Sequence, residues 1–330
     1  MRMSSFKIII IFCLMMASLC AEEKKTFKII MVLWNGSTLL EEGFVNYLKS
    51  KEVSVDIQTL DCQGDRAKCH AFVTDIKRIQ PDLITIWGTP ALQEIAGRLD
   101  QAKENYIWDI PIIALIVSDP VRTGIIAALD RPGRNVTGVS HLAPIEAQLN
   151  ALLLYKKDVK TIGAMYNPDE PNSKIQVENL ATLAEGKGIR VILLPVPMID
   201  HKPDSDHLCD VVEKAASLKA DFIYIPADTF LSKHAPIFIN KAHELKIPTF
   251  AATESLYWHT KPMLGMFSHF FNVGMFGGAK AFDILVNKQD PGTMPYEKLS
   301  RFSIVISRSA YESMGISPPL TLLKFAEIRD

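Results

Sequence analysis

Short, continuous apolar runs alternate with longer stretches of helical periodicity along most of this chain, and that alternation limits its fold more than any other feature. FKIIMVLW (27–34) leads into LLEEGFVNYLKSK, VSVDIQTL into AFVTDIKRIQ, DLITIW into ALQEIAGRLDQA, and IPIIALIV into VRTGIIAAL. A strand that is apolar on both sides needs cover on both faces, which parallel strands joined through helices provide. The fold class is α/β.

The series restarts at TIGAMYN and continues through KIQVENLATLAEGKG, IRVILLPVP, LCDVVEKAASLKA, DFIYIPA, IFINKAHELK and IPTFAAT. Two successive arrays of similar length predict two doubly wound parallel-sheet lobes, alike in pattern and without a residue-level repeat. The segment DRPGRNVTGVSHLAPIEAQL (130–149) is read as a crossing between them. The less regular end, with GMFSHF, a helix from about Asn272 to Val286, and RFSIVIS, is read as crossing back, so that several hinge strands join the lobes. Lobe I is expected at 27–139 plus 269–290, and lobe II at 140–268 plus 291–330.

Residues 1–21 stand outside this pattern. Arg2 and Lys7 flank the start of a nine-residue apolar run, IIIIFCLMM, and ASLCA ends it in small residues, as in a secretory signal peptide. Nine residues are too few for a membrane span, which needs about 20. Cleavage after Cys20 or after Ala21 fits. Leu19 disfavours lipid attachment at Cys20, which stays the lesser alternative. A soluble, monomeric periplasmic protein is therefore expected.

Roughly 310 residues remain, more than one core comfortably holds. The 36 basic and 37 acidic residues nearly cancel, with net charge −1, and no basic stripe appears, which argues against a nucleic-acid partner. Cys62 and Cys69 are seven apart. Export permits a disulfide, but sequence gives no Cα separation, so paired and free states both stay open. Cys209 reads as a small buried hydrophobe.

In an open parallel sheet, ligands bind beyond the carboxyl ends of the strands. Those ends here read Gly88-Thr89-Pro90, Ser118-Asp119-Pro120, Asn167-Pro168-Asp169-Glu170-Pro171-Asn172-Ser173, Asp228-Thr229 and Thr253-Glu254-Ser255. Helix capping explains any one of them. Five such ends, shared between two facing lobes, would line one cleft. Thr89, Asn172 and Ser173, at helix starts, suit a carboxylate. Asp119, Glu170, Asp228 and Glu254 supply negative charge, with Arg122 the nearby cation, so the expected ligand carries an amine, its ammonium against Asp119, Glu170 and Asp228. Trp34, closing the first strand, is either a core residue, as aromatics at strand ends commonly are, or a surface on which a ligand stacks.

Other constellations read as structural. IDHKPDSDHLCD (199–210) holds His201, Asp204, Asp206, His207, Cys209 and Asp210, yet its proline and position favour a solvated loop over a metal site. Gly274, Gly277 and Gly278 read as close helix packing, not a dinucleotide loop. No nucleophile elbow or nucleophile–base set can be assembled. His141 reads as a hinge or surface residue. Neither an enzyme nor a cofactor is expected.

IPIIALIVSDPVRTGIIAALDRPGRNVTGVSHLAPIEAQL, IGAMYNPDEPNSKIQVE, ADFIYIPADT and IPTFAATES closely resemble the ABC-transporter substrate-binding family that includes tryptophan- and tyrosine-uptake binding proteins. The likeness runs from about Lys28 to Pro319, with SDP, RPG-NVTG and YNP-E-NS in order. It implies a type I periplasmic-binding-protein fold, with two lobes, three crossings and a cleft that closes on a small solute delivered to an ABC permease. By the same resemblance, binding groups fall at Thr89, Asp119, Asn167, Glu170, Asn172, Ser173, Asp228 and Thr229, with Ser118 replacing the family's usual threonine. The segment TESLYWHTKPMLGMFSHFF, with Glu254, Tyr257, Trp258 and His259, departs from relatives and leaves the ligand's identity open. A subunit that senses a solute for a membrane kinase or cyclase is the main alternative; an exported hydrolase or transferase on a doubly wound fold is the remote one.

Overall fold

A computed structural model describes residues 25–257 and 260–330. The leader, Trp258 and His259 lie outside the described residues.

Lobe I is built on a sheet of six parallel strands: β1 (Phe27–Leu33), β2 (Val55–Asp61), β3 (Leu83–Trp87), β4 (Ile112–Leu115), β5 (Val136–Ser140) and the two-residue β13 (Glu297–Lys298). Their spatial order is β13-β5-β4-β3-β1-β2. The central strands β3, β4 and β5 are buried along their whole length, while the edge strand β2 exposes part of its surface, in line with the apolar runs of β3 and β4. Helices α1 (Leu39–Ser50), α2 (Arg66–Ile79) and α3 (Thr89–Ala96) follow β1, β2 and β3. The start of α1 is fixed by a capping box, in which Leu40 N donates to Thr38 Oγ1 at 3.1 Å and Thr38 N donates to Glu41 Oε2 at 2.6 Å.

Lobe II carries seven strands, ordered β15-β14-β12-β11-β10-β6-β7. They are β6 (Thr161–Tyr166), β7 (Arg190–Pro195), β10 (Phe222–Ile225), β11 (Thr249–Ala251), β12 (Leu264–Phe267), β14 (Ser303–Ser307) and β15 (Glu327–Arg329), and a small hairpin of β8 (Met198–Ile199) and β9 (Lys202–Pro203) stands apart. All pairs in this sheet are parallel except β12 with β14. Helices α4 (Ile145–Tyr155), α5 (Pro171–Glu185) and α9 (Arg308–Met314) cover one face. On the other lie α6 (Leu208–Ser217) and α7 (Thr229–Glu244). A short α10 (Leu320–Leu323) precedes β15. The two-lobed, doubly wound α/β reading agrees with this architecture.

Helix α8 (Phe270–Leu285) belongs to lobe I although it directly follows β12 of lobe II. It seats on α1 through glycines. A Cβ on Gly274 would stand 2.0 Å from Leu40 O, and one on Gly43 would stand 2.1 Å from Phe271 O. The Gly274–Gly278 segment is thus a close helix contact. The third crossing falls later than the expected boundary at 290/291: Met294 and Tyr296 are buried in the lobe I core and β13 pairs with β5. A two-residue strand rich in charge carries no apolar signal, so the return to lobe I continues unannounced to Lys298.

The crossings therefore run through 141–144, 268–269 and 299–302, and they are bonded side by side. Ser268 N donates to His141 O at 3.4 Å, Ser268 Oγ to Arg301 O at 2.9 Å, and Leu299 N to Ser140 O at 3.4 Å. Cys62 and Cys69 are joined in a disulfide, with Cα atoms 4.7 Å apart. Cys209 is free and half-buried, more exposed than its sequence reading.

Gly274→Ala tests the α1–α8 contact. It is expected to cost about 1–3 kcal/mol and to lower the thermal midpoint by several degrees, while Gly186→Ala, whose added Cβ meets nothing nearer than 3.6 Å, leaves it nearly unchanged.

Candidate functional site

The carboxyl ends of the strands from both sheets converge on one cavity of about 280 Å³, close to the smallest ligand pockets, which begin near about 300 Å³. Its two walls differ in chemistry. Lobe I and the second crossing bring the aromatic and aliphatic surface: Trp34 after β1, Trp87 and Pro90 around the start of α3, Ile116 after β4, and Phe270 at the first turn of α8. Lobe II brings Asn172, Asp228, Thr229, Ser232, Lys233, Thr253 and Ser255, with Ala227 its one apolar contribution. Asn35, Ser37, Thr89 and Ser118 add polar groups on the lobe I side, and His141 enters from the first crossing. Ile116 holds φ +57°, a strained value for a β-branched residue.

Beneath the lobe II wall lies a buried carboxyl pair. Asp228 caps α7, accepting from Leu231 N at 2.9 Å, and its other oxygen accepts from Asn167 N at 2.8 Å and Ser173 Oγ at 2.6 Å. Glu170 accepts from Thr229 N at 3.0 Å and Phe230 N at 3.1 Å, and also from the Thr229 hydroxyl. Both caps place acid at the positive end of α7. Burial first, and the Asp228 charge second, push the Glu170 carboxyl from its ordinary 4.5 up to about 8. Burial also raises Asp228. Near neutral pH Glu170 therefore keeps its proton.

Asn172 extends this framework to the cavity surface. Its Nδ2 donates to Ala227 O at 2.8 Å, while Gln176 clamps the same turn by accepting from Ala227 N at 3.1 Å. Asn172 Oδ1 is buried and has no partner among the described residues; the same holds for Trp87 Nε1 and for both ring nitrogens of His141. Buried polar atoms seldom go unpaired, so the cavity presents unmet donors and acceptors to an occupant. Helices α3 and α5 also begin without a side-chain cap.

Of the residues expected from sequence, Trp34, Thr89, Ser118, Asn172, Asp228 and Thr229 line the cavity. Asp119 instead lines a neighbouring space of about 170 Å³ against the hinge and caps Arg122 N at 3.0 Å. Asn167 turns its Oδ1 to Asp169 N at 3.0 Å. Ser173 and Glu170 lie behind the wall, committed to Asp228 and Thr229. Glu254 serves the hinge, accepting from Phe270 N at 2.6 Å and pairing with His269 Nδ1 at 2.7 Å. That contact holds the His269 imidazole above its ordinary range, and its other nitrogen lies 3.0 Å from Glu327 and 3.1 Å from Ser303. The expected excess of acid around a ligand therefore shrinks to Asp228, the one of the four carboxylates that lines the cavity, although it too accepts from backbone N–H groups. Sequence reasoning missed Trp87 and His141 as cavity residues. Trp87 is the last residue of an apolar strand and His141 a single histidine in a linker, neither of which carries a pattern. The acidic 199–210 segment shows no grouping able to hold a metal among the described residues.

Two contacts bridge the lobes beside the cleft: Arg122 Nη1 to Asn179 Oδ1 at 3.1 Å, and Arg66 Nη2 to Asp169 O at 3.5 Å.

Residues 29–328 match the family described as ABC transporter substrate binding protein. The chain belongs to that family. A curated relative, the tyrosine-binding protein of Clostridioides difficile (strain R20291), is 28% identical over 285 residues, covering 84% of this chain and 76% of its own. Among solved structures, an ABC domain in complex with L-Trp from Streptococcus pneumonia is 25% identical, with TM-score 0.79 over 91% of this chain and 100% of that one. The ligand-free, open structure of a substrate-binding protein with adhesive properties from Clostridium difficile is 26% identical, with TM-score 0.70 over 92% of this chain and 99% of its own. The fold is that of type I periplasmic binding proteins, and members of the family bind a small molecule outside the cytoplasm for a membrane transporter. Among the described residues no helix is long and apolar enough to cross a membrane.

The carboxyl pair gives the fold a pH signature. Because the Glu170 pKa in the folded state lies above its unfolded value, its contribution to stability is full below about pH 4.5 and is lost as pH rises through about 8. Urea unfolding of the wild type is expected to show that decline, on the order of a few kcal/mol at most. In Glu170→Gln, which mimics the protonated carboxyl, the decline between pH 5 and pH 8 should be markedly smaller.

Proposed function

We propose that this substrate-binding protein captures an L-amino acid with an aromatic side chain in the inter-lobe cavity and presents it to an ABC permease. The observation that carries this reading is the division of the cavity into an aromatic wall from lobe I and a polar wall from lobe II. A ligand that is half zwitterion and half ring matches both. The ammonium group is assigned to Asp228 and the unpartnered Asn172 Oδ1. The carboxylate is assigned to the uncapped start of α3 with the Thr89 hydroxyl. Asn172 thus moves from the carboxylate side, where its sequence position put it, to the ammonium side, because its free atom is an acceptor.

Three or four charge-assisted hydrogen bonds at about 1.5–3 kcal/mol each, with one aromatic contact at about 0.5–1.5 kcal/mol, reach the roughly 8 kcal/mol of micromolar binding. The relatives' ligands, tyrosine in one and L-Trp in another, support the same class. The leader at residues 1–21 fits export of a monomeric receptor, and binding without turnover fits a cavity whose acids are occupied with capping.

A thermal-shift series with L-tryptophan, L-tyrosine, L-phenylalanine, tryptamine, N-acetyl-L-tryptophan and ribose tests the reading. At one hundred times Kd, a bound ligand stabilises by about 2.7 kcal/mol. L-aromatic amino acids should raise the midpoint, and ribose should not. Asp228→Asn should weaken L-aromatic binding at least tenfold. A response to ribose alone, or to N-acetyl-L-tryptophan as strongly as to L-tryptophan, would contradict the assignment.

A further inference from the structure

His141 lines the cavity beside Phe270, part of its aromatic surface. It leaves the end of β5 in the first crossing, is fully buried, and lies edge-on to Phe270, with ring centroids 5.8 Å apart at 88°. Its carbonyl takes the Ser268 N–H from the second crossing, which fixes the backbone beneath the ring. Yet neither imidazole nitrogen has a partner among the described residues. A purely structural histidine at this depth would be expected to spend at least one nitrogen on a carbonyl or hydroxyl. Burial holds the ring neutral, its pKa pushed down to about 3. A neutral imidazole offers one N–H donor and one acceptor. Among the described residues no partner selects which nitrogen carries the proton, so the ring can present either.

We propose that His141 is the specificity-determining residue of the cavity and that it reads a polar atom on the ligand's aromatic ring, the N–H of an indole or the O–H of a phenol. The inference rests on the aromatic amino-acid reading and deepens it. An indole N–H donates to the unprotonated imidazole nitrogen; a phenol can donate to it or accept from the N–H. A plain phenyl ring can do neither and, once the cleft closes, leaves a buried polar group unmet. Sites built to hydrogen-bond a ligand group discriminate strongly against analogues lacking it, for this reason. Trp34, Trp87 and Phe270 recognise the ring as a surface, and His141 distinguishes rings of similar size. The zwitterionic end, its ammonium assigned to Asp228 and Asn172 and its carboxylate to the start of α3 with Thr89, is common to all candidates and does not discriminate.

Isothermal titration of the full mature chain with L-tryptophan, L-tyrosine and L-phenylalanine separates this proposal from the reading beneath it. The wild type should bind L-tryptophan or L-tyrosine at least tenfold more tightly than L-phenylalanine. In His141→Phe that ratio should fall below about threefold, through lost affinity for the polar ring and not for L-phenylalanine. His141→Gln, which restores a donor and an acceptor, should recover part of the preference. A general distortion of the cleft would weaken all three ligands together and keep the ratio; that result, or an unchanged ratio in a normally binding variant, overturns the role of His141 while leaving the aromatic reading intact. If the wild type binds none of the three, both fall. Should His141→Phe not fold, His141→Met carries the same comparison.

Discussion

The cleft depends on two buried carboxyl groups, of which Glu170 keeps its proton near neutral pH. Glu170 and Asp228 come from loops after different strands, β6 and β10, and each accepts N–H groups from the first turn of α7. Two full negative charges so close and so far from water would be costly. One proton relieves the repulsion, and the remaining charge suits the positive end of the helix. The arrangement ties Asn167, Ser173 and Thr229 into one framework, and Asn172 stands on it with an acceptor unspent. The polar wall is thus set before a ligand arrives, which limits the ordering that binding would otherwise require.

Opposite that wall, the aromatic surface is carried by lobe I, and the two are brought together by three short crossings bonded to one another. Glu254 and His269 belong to this hinge. They anchor the start of α8 to lobe II and to the C-terminal strand β15, while glycine contacts anchor the body of α8 to α1 in lobe I. Relative movement of the lobes therefore has to be absorbed by the few residues of the crossings. His141 and Phe270 lie within or beside these residues and also line the cavity, so a ligand that touches them touches the hinge.

Much of this was legible in the sequence. Unbroken apolar strands such as DLITIW and IPIIALIV announced buried parallel sheets, and the restart at TIGAMYN announced a second lobe. The strand-end loops that the sequence marks border the cavity, with Trp34, Thr89, Asn172 and Asp228 on its surface. Direction was not legible. A glutamate at a helix start looks the same in sequence whether it faces a ligand, as expected of Glu170, or turns inward to cap the neighbouring helix, as it does. Glu254 misled for the same reason, and Asp119 because its loop divides two adjacent cavities, with only Ser118 reaching both. β13 escaped because two residues give no periodicity, and His141 because a lone histidine in a linker is defined only by what surrounds it.

Charge alone first pointed to an amine-bearing ligand, and the structure replaces that argument with a geometric one, in which opposite walls of unlike chemistry orient an amphipathic solute. A crystal structure of the protein grown with L-tryptophan or L-tyrosine tests this most directly. The account predicts closed lobes with the ammonium group within hydrogen-bond distance of Asp228 and Asn172 Oδ1, and the ring between Trp34, Trp87 and Phe270. A ligand bound in the reverse sense, with its ring on the lobe II wall, or a saturated crystal with this cavity empty, would contradict it.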